Sequence, residues 1–105
     1  MPNYNHSQYL PKSVGALVDC ERPPDELIII DDGSTDNSWE IIQDFARRHP
    51  CIRAHRNDMN IGCVPTVDRA LQLATGDYIY GAAADDYVLP DFIAKSMKLL
   101  ARYPE

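Results

Sequence analysis

Leu27-Ile28-Ile29-Ile30-Asp31-Asp32-Gly33-Ser34-Thr35-Asp36 sets the frame for the whole chain. Four aliphatic residues in a row, bounded by turn formers, read as a buried strand, here expected over Glu26 to Ile30. Two carboxylates follow at once. In open α/β sheets, ligands bind at the carboxyl ends of the strands. A second run, Tyr78 to Ala84, also ends in an aspartate pair, Asp85-Asp86. Four acids gathered at two strand ends repel one another unless a cation or a hydrogen-bonding ligand offsets them. The pattern therefore points to a metal-assisted nucleotide site.

Working outward from the first run, Asp32 to Asp36 is a turn, and Asn37 with Glu40 three residues later resembles a capping box. A helix over Ser38 to Arg48 would place Ile41, Ile42 and Phe45 on one face, and Pro50 stops it. Cys51 to His55 reads as a short strand and Asn57 to Gly62 as a polar loop. The next helix, Val64 to Ala74, carries Val64, Val67, Leu71 and Ala74 on one stripe, with Gly76-Asp77 as its stop signal. Tyr78 to Ala82 is then a strand, and Pro90 opens a last helix with Ile93, Met97 and Leu100 inward.

On the other side, Gln8 to Val18 has helical spacing through Leu10, Val14, Leu17 and Val18, with Pro11 in the first turn. Arg22-Pro23-Pro24-Asp25 breaks that pattern before the strand begins. Alternating helices and strands imply parallel strands joined by right-handed crossovers, an α/β fold. Met1 to Asn5 leads almost directly into a helix, so the fold is expected to lack its first strand.

Bulk properties narrow the function classes. The 105 residues fit one domain, 1–105, with 45% hydrophobic and 25% charged residues. A net charge of -6 argues against nonspecific nucleic-acid binding, which needs Lys and Arg to displace counterions. Cys20, Cys51 and Cys63 are odd in number and share no C-x-x-C spacing, which speaks against a disulfide framework or zinc site and for a reducing compartment. No apolar stretch reaches the roughly 20 residues that span a bilayer. The expected location is cytoplasmic, with the inner face of the membrane as the alternative for a longer parent protein. No G-x-S-x-G, P-loop or G-x-G-x-x-G pattern is present.

Several blocks occur in a fixed order: Pro2-Asn3-Tyr4-Asn5, Ile30 to Asp36, Asn60-Ile61-Gly62, Gly76-Asp77-Tyr78-Ile79, and Ala84-Asp85-Asp86 with Pro90-Asp91. Together they resemble the nucleotide-binding half of family 2 glycosyltransferases, inverting enzymes of the GT-A fold. The resemblance runs over nearly the whole chain. It implies a Rossmann-like, mostly parallel sheet flanked by helices, truncated at both ends, with a further strand before Pro2. It also implies a nucleotide-diphosphate sugar (a UDP-sugar) as donor, a saccharide or lipid-linked acceptor, Mg²⁺ or Mn²⁺ as cofactor, and a setting in bacterial cell-wall or polysaccharide synthesis.

The resemblance carries over to single residues. Asp32 takes the position that accepts the uracil N3–H, Tyr4 the aromatic that stacks on the base, and Pro2 a neighbouring backbone contact. Asn60 and Gly62 lie in a loop that approaches the base or phosphates. Asp85 matches the metal-contacting acid of the D-x-D motif. Where many members read Asp-Ala-Asp-Asp, this chain reads Ala83-Ala84-Asp85-Asp86, so Ala84 stays beside the nucleotide but the first acid is missing. Asp31 and Asp86 read as turn residues, Arg69 as a solvated helix position, and His6, His49 and His55 lack metal-ligand spacing.

No catalytic residue is expected in this chain, because the family's general base belongs to the second half. Weak nucleotide binding without turnover follows. The alternatives are a catalytically silent assembly module and a receiver-type phosphoacceptor. The latter needs a lysine at a strand end, whereas Lys95 and Lys98 fall in a helix. A missing central strand would leave a sheet edge open to pairing, which predicts a homodimer.

Overall fold

Leu27–Asp31 does form a strand (β2), and all five of its residues are buried. It lies at the centre of a parallel sheet, in the order β1-β2-β3 with Pro2–Asn3 (β1) and Ile52–Arg56 (β3) as neighbours. The computed structural model describes residues 1–102. The helices are α1 (Leu10–Val18), α2 (Ser38–Arg48), α3 (Cys63–Leu73) and α4 (Phe92–Arg102). Leu27 and Ile29 join Leu10, Val14 and Leu17 of α1 and Ile42 and Phe45 of α2 in one apolar core. Each such aliphatic side chain contributes about 1.5–3 kcal/mol on full burial, so this cluster is what holds β2 in place.

The expectation of a missing first strand is corrected at the chain's opening. Pro2 and Asn3 pair in parallel with Ile30 and Asp31. The carbonyls of Met1 and Asn3 accept from Ile30 N–H (3.1 Å) and Asp32 N–H (2.8 Å). Two residues are too short a run for hydrophobic alternation to reveal.

That geometry also accounts for a second correction. Tyr78 to Ala82, expected to be a strand, has irregular backbone. Backbone polar groups alternate in direction along a strand, and those of Met1 and Asn3 point at β2. The outer edge of β1 is therefore left to Pro2, which has no N–H to offer. Ala82 and Ala84 still pack in the core beside Met1, so the segment lies against β1 without a ladder.

Helix faces and caps differ from expectation as well. α3 buries Thr66 and half-buries Arg69, Ala70 and Leu73. Its apolar stripe faces outward, with Val64 79%, Val67 37% and Leu71 48% exposed. The polar partners described below fix this rotation. Ile93, Met97 and Leu100 of α4 are half-buried. Asn37 makes no side-chain cap bond to α2. Asp36 does the capping instead, accepting from Ser38 N–H at 2.9 Å. Cys20, Cys51 and Cys63 are all free thiols. Among the described residues no helix is long and apolar enough to cross a membrane.

Candidate functional site

The carboxyl ends of β1, β2 and β3 converge, and the residues that follow them are tied together by side chains rather than by sheet pairing. Asp31 is fully buried. Its Oδ1 accepts from Asn3 Nδ2 (3.0 Å) and Ser34 Oγ (2.6 Å), and its Oδ2 from Ser34 N–H (3.0 Å). Arg56 Nε stands 3.6 Å from the same Oδ2. A buried carboxylate with this many donors is a structural tie, as its expected turn role required.

Asn5 makes the next tie. It sits at φ 54°, in the left-handed region that Asn tolerates better than most residues. Its Oδ1 accepts from Thr35 N–H at 2.8 Å and Asp36 N–H at 3.3 Å, and its own N–H donates to Ser34 Oγ at 3.0 Å. Asp36 Oδ2 adds a bond from Ser7 N–H at 3.1 Å. Tyr4, which is exposed, is thus presented from a clamped turn.

Asp32 is buried, yet it borders open space. Its Oδ1 accepts from Asn57 Nδ2 (2.9 Å) and Ile61 N–H (2.8 Å), and its Oδ2 from Gly62 N–H (2.9 Å). Burial pushes this carboxyl's pKa up, but the bonds from Ile61, Asn57 and Gly62 outweigh it and hold the group below its ordinary value. A carboxylate offers about four acceptor positions, so one remains for a ligand donor.

Gly33 makes the close approach possible. At φ +69° it lies so near the 59–60 backbone that a Cβ would stand 2.8 Å from Met59 C and Asn60 N. Gly62, at φ +96°, then starts α3.

These ties frame a cleft of about 340 Å³. All the positions singled out in the sequence line it: Pro2, Tyr4, Asp32, Asn60, Gly62, Ala84 and Asp85. Asn3, His6, Cys63 and Ala83 complete the wall. A second depression near Met1 and Tyr87 holds about 10 Å³, no more than a single water requires. Asp85 is exposed in the main cleft, whereas Asp86 turns back to accept from Tyr87 N–H at 2.8 Å. Lys95 pairs with Asp91 at 2.8 Å within the α4 region, far from the role a receiver-type lysine would need.

A divalent cation was the other expectation. Among the described residues, no group of three or more His, Cys, Asp or Glu could hold a metal. Besides His6 and Cys63, the cleft wall carries two carboxylates, and Asp32 is already held by Asn57, Ile61 and Gly62, which leaves Asp85 as its uncommitted carboxylate. That does not fit an all-protein cage, but it fits a hard cation that takes its other ligands from phosphate oxygens and water.

Three residues that the sequence did not assign to the site belong to its support. Asn57 is buried and donates to both Asp32 Oδ1 and Thr66 Oγ1 (3.1 Å), while its Oδ1 accepts from Arg69 Nη1 at 2.6 Å. Thr66 Oγ1 donates in turn to the Gly62 carbonyl at 2.8 Å. Arg69, expected on a solvated face, is therefore engaged toward the sheet. The signal was faint: Gly62, Thr66, Arg69 and Leu73 share helical spacing, but polar members disguise the face.

Comparison with known proteins gives a consistent result. Residues 1–105 match the family described as glycosyl transferase family 2. WcaA of Escherichia coli K12, named for colanic acid biosynthesis, is 33% identical over 106 residues, covering 95% of this chain and 37% of WcaA. An uncharacterized glycosyltransferase of Haemophilus influenzae is 32% identical over 100 residues, covering 95% of this chain and 40% of the relative. Among solved structures, the mannosyltransferase PcManGT of Pyrobaculum calidifontis, in complex with GDP-Man and Mn²⁺, superposes with a TM-score of 0.85 at 25% identity over 95% of this chain and 30% of its own. S. aureus TarS 1-349 with UDP-GlcNAc gives 0.88 at 21% identity, over 96% of this chain and 30% of its own. The α/β fold is that of GT-A glycosyltransferases, and the chain spans well under half the length of these relatives.

Proposed function

The chain belongs to glycosyl transferase family 2, and from that premise we propose that its cleft takes the nucleoside diphosphate of a sugar donor, a UDP-sugar. The observation that carries this reading is the convergence of Pro2, Tyr4, Asp32, Asn60, Gly62, Ala84 and Asp85 on one cleft. The GDP-Man and Mn²⁺ held by PcManGT support a nucleotide-sugar donor and a divalent cation, without bearing on which base is read.

Each residue then has a part that its chemistry allows. The exposed ring of Tyr4 offers a stacking face for the base, and Pro2 walls the cleft beside it. The spare acceptor position of Asp32 takes the imino N–H of uracil. Asn60 and Gly62 bring backbone close to the ligand, and Ala84 leaves room where an acid stands in many relatives.

Asp85 would hold Mg²⁺ or Mn²⁺, with phosphate oxygens and water completing the ligand set. When bound, the cation supplies charge neutralisation for the departing phosphates. With one protein carboxylate and no built cage, Asp85 has little hold on a cation until a diphosphate arrives to share it.

The transfer itself is assigned to a chain of the relatives' full length, of which residues 1–105 match a part. There an acceptor hydroxyl of a saccharide or lipid-linked substrate attacks the anomeric carbon with inversion, and a general base outside residues 1–105 takes its proton. The same reading places the protein in the cytoplasm, and at the membrane's inner face when the acceptor is lipid-linked.

Calorimetric titration of the 105-residue chain with UDP, with and without Mn²⁺, tests this directly. Binding that needs Mn²⁺ and disappears in Asp85→Ala is expected, with no sugar transfer by this chain alone. Absence of heat at saturating UDP and Mn²⁺ would overturn the assignment.

A further inference from the structure

Resting on the reading of the cleft as a nucleotide site, we propose that Asn57, Thr66 and Arg69 form a positioning relay that aims Asp32 and thereby sets the site's base preference. The relay is closed. Arg69 donates to Asn57 Oδ1, Asn57 Nδ2 donates to Asp32 and Thr66, Thr66 donates to the Gly62 carbonyl, and Gly62 N–H returns to Asp32.

A carboxamide has a donor end and an acceptor end, and a flip exchanges them. Arg69 can only donate and the Asp32 carboxylate can only accept, so Asn57 has one permitted orientation. Asp32 Oδ1 is thereby occupied twice, by Asn57 and Ile61, whereas Oδ2 carries the Gly62 bond, with the Thr66 hydroxyl a lesser influence on the same carboxylate. The unused acceptor position belongs to Oδ2, and its direction is inherited from the relay.

This matters for which base is read. Uracil presents an N–H at position 3, but cytosine presents a lone pair there. A carboxylate fixed against rotation rewards the first and repels the second. One free to rotate can turn its oxygens away from cytosine and loses part of the distinction. A site built to hydrogen-bond a ligand group discriminates strongly because its buried polar atoms are otherwise left unpaired. The relay also places two of its three members on α3, so base reading depends on the helix that Gly62 begins.

Two isosteric or near-isosteric changes test this without touching the cleft wall. Thr66→Val removes the hydroxyl and Arg69→Met removes the donor, while Thr66→Ser keeps the hydroxyl. In calorimetry with Mn²⁺, the preference for UDP over CDP is expected to fall by about tenfold in Thr66→Val and Arg69→Met, and to be retained in Thr66→Ser. A general loss of folding would lower both affinities together and leave their ratio unchanged, which would overturn the proposal.

A second measurement needs no ligand. Hydrogen exchange at the Ile61 and Gly62 amides is expected to speed up in Thr66→Val and Arg69→Met while that of Ile29 in β2 stays as in the native chain. Unchanged protection at Ile61 and Gly62 would overturn the relay. Should the native chain bind neither nucleotide, the reading of the cleft fails by itself, and the exchange result still decides whether these residues hold Asp32.

Discussion

Replacing Gly33 with alanine tests the contact on which the cleft depends. Gly33 sits at φ +69°, and a Cβ there would lie 2.8 Å from Met59 C and Asn60 N and 3.1 Å from Met59 Cα. All three atoms are backbone, so no side-chain rotation relieves the clash. Left-handed backbone costs a non-glycine residue about 1–2 kcal/mol. Forcing packed groups apart costs about 1–3 kcal/mol more.

Gly33→Ala should therefore destabilise the fold by about 2–5 kcal/mol, a large share of the ~5–15 kcal/mol that holds a small domain together. For a domain near 100 residues, each kcal/mol moves Tm by roughly 4–8 °C, so a drop of about 10 °C or more is expected. Gly15→Ala is the internal control. It lies within α1 with nothing within 4 Å of an added Cβ, and should raise stability by up to ~1 kcal/mol. Urea and thermal unfolding followed by far-UV circular dichroism would report both. A Gly33→Ala chain within about 0.5 kcal/mol of native would refute the claim that the 59–60 backbone rests on this residue.

Further outcomes follow from the same geometry. Asp32→Asn keeps shape, but with its amide oxygen still held by Ile61 and Asn57 it turns its N–H₂ toward the Gly62 N–H, and should cost about 1–3 kcal/mol in urea unfolding while weakening UDP binding. Burial raises the pKa values of Asp32 and Asp36, but hydrogen bonds from Ile61 and from Ser38 respectively lead the contributions that leave both below ordinary carboxylate values. Their contribution is complete above the unfolded carboxylate range near 4 and is lost as pH falls through the folded values. Below about pH 4 the urea midpoint should thus decline, less steeply in Asp32→Asn; an unchanged slope would count against the Asp32 contribution. Consecutive exposed apolar side chains at Tyr78, Ile79 and Tyr80 predict a homodimer. Light scattering should show dimeric mass that Ile79→Glu shifts to monomer, and a monomeric native chain at high concentration would refute it.

The parts of this protein that sequence reveals are those where one physical signal dominates. Leu27 to Ile30 is apolar without interruption and can only be a buried strand, and the periodicity of Ile41, Ile42 and Phe45 finds α2. The cleft positions are legible through the resemblance to a family whose motif blocks they match, whereas spacing alone would leave Tyr4 an ordinary terminal residue. Tyr78 to Ala82 misleads because propensity reports on a residue's preference and not on whether a neighbouring edge has an N–H to share. Val64, Val67 and Leu71 mislead for a related reason: α3 is rotated by a polar set, Thr66 and Arg69 meeting Asn57, that outranks its apolar stripe. Polar networks depend on tertiary partners from other segments, so no local window contains them.

The ties around the cleft are lopsided in a way that bears on how this protein can change over generations. Asn5 grips the N–H groups of Thr35 and Asp36, and Asp32 grips those of Ile61 and Gly62. On one side of each grip stands a particular side chain, and on the other main-chain N–H groups, supplemented at Thr35 by a longer bond from its Oγ1 (3.4 Å). Mutation at Thr35 or Ile61 leaves the gripped N–H in place, so those sites can drift, whereas Asn5 and Asp32 have no substitute of equal reach and chemistry. Variation should therefore collect on the held loops and stay away from the residues that hold them, leaving the loops free to diversify around a fixed pair of anchors.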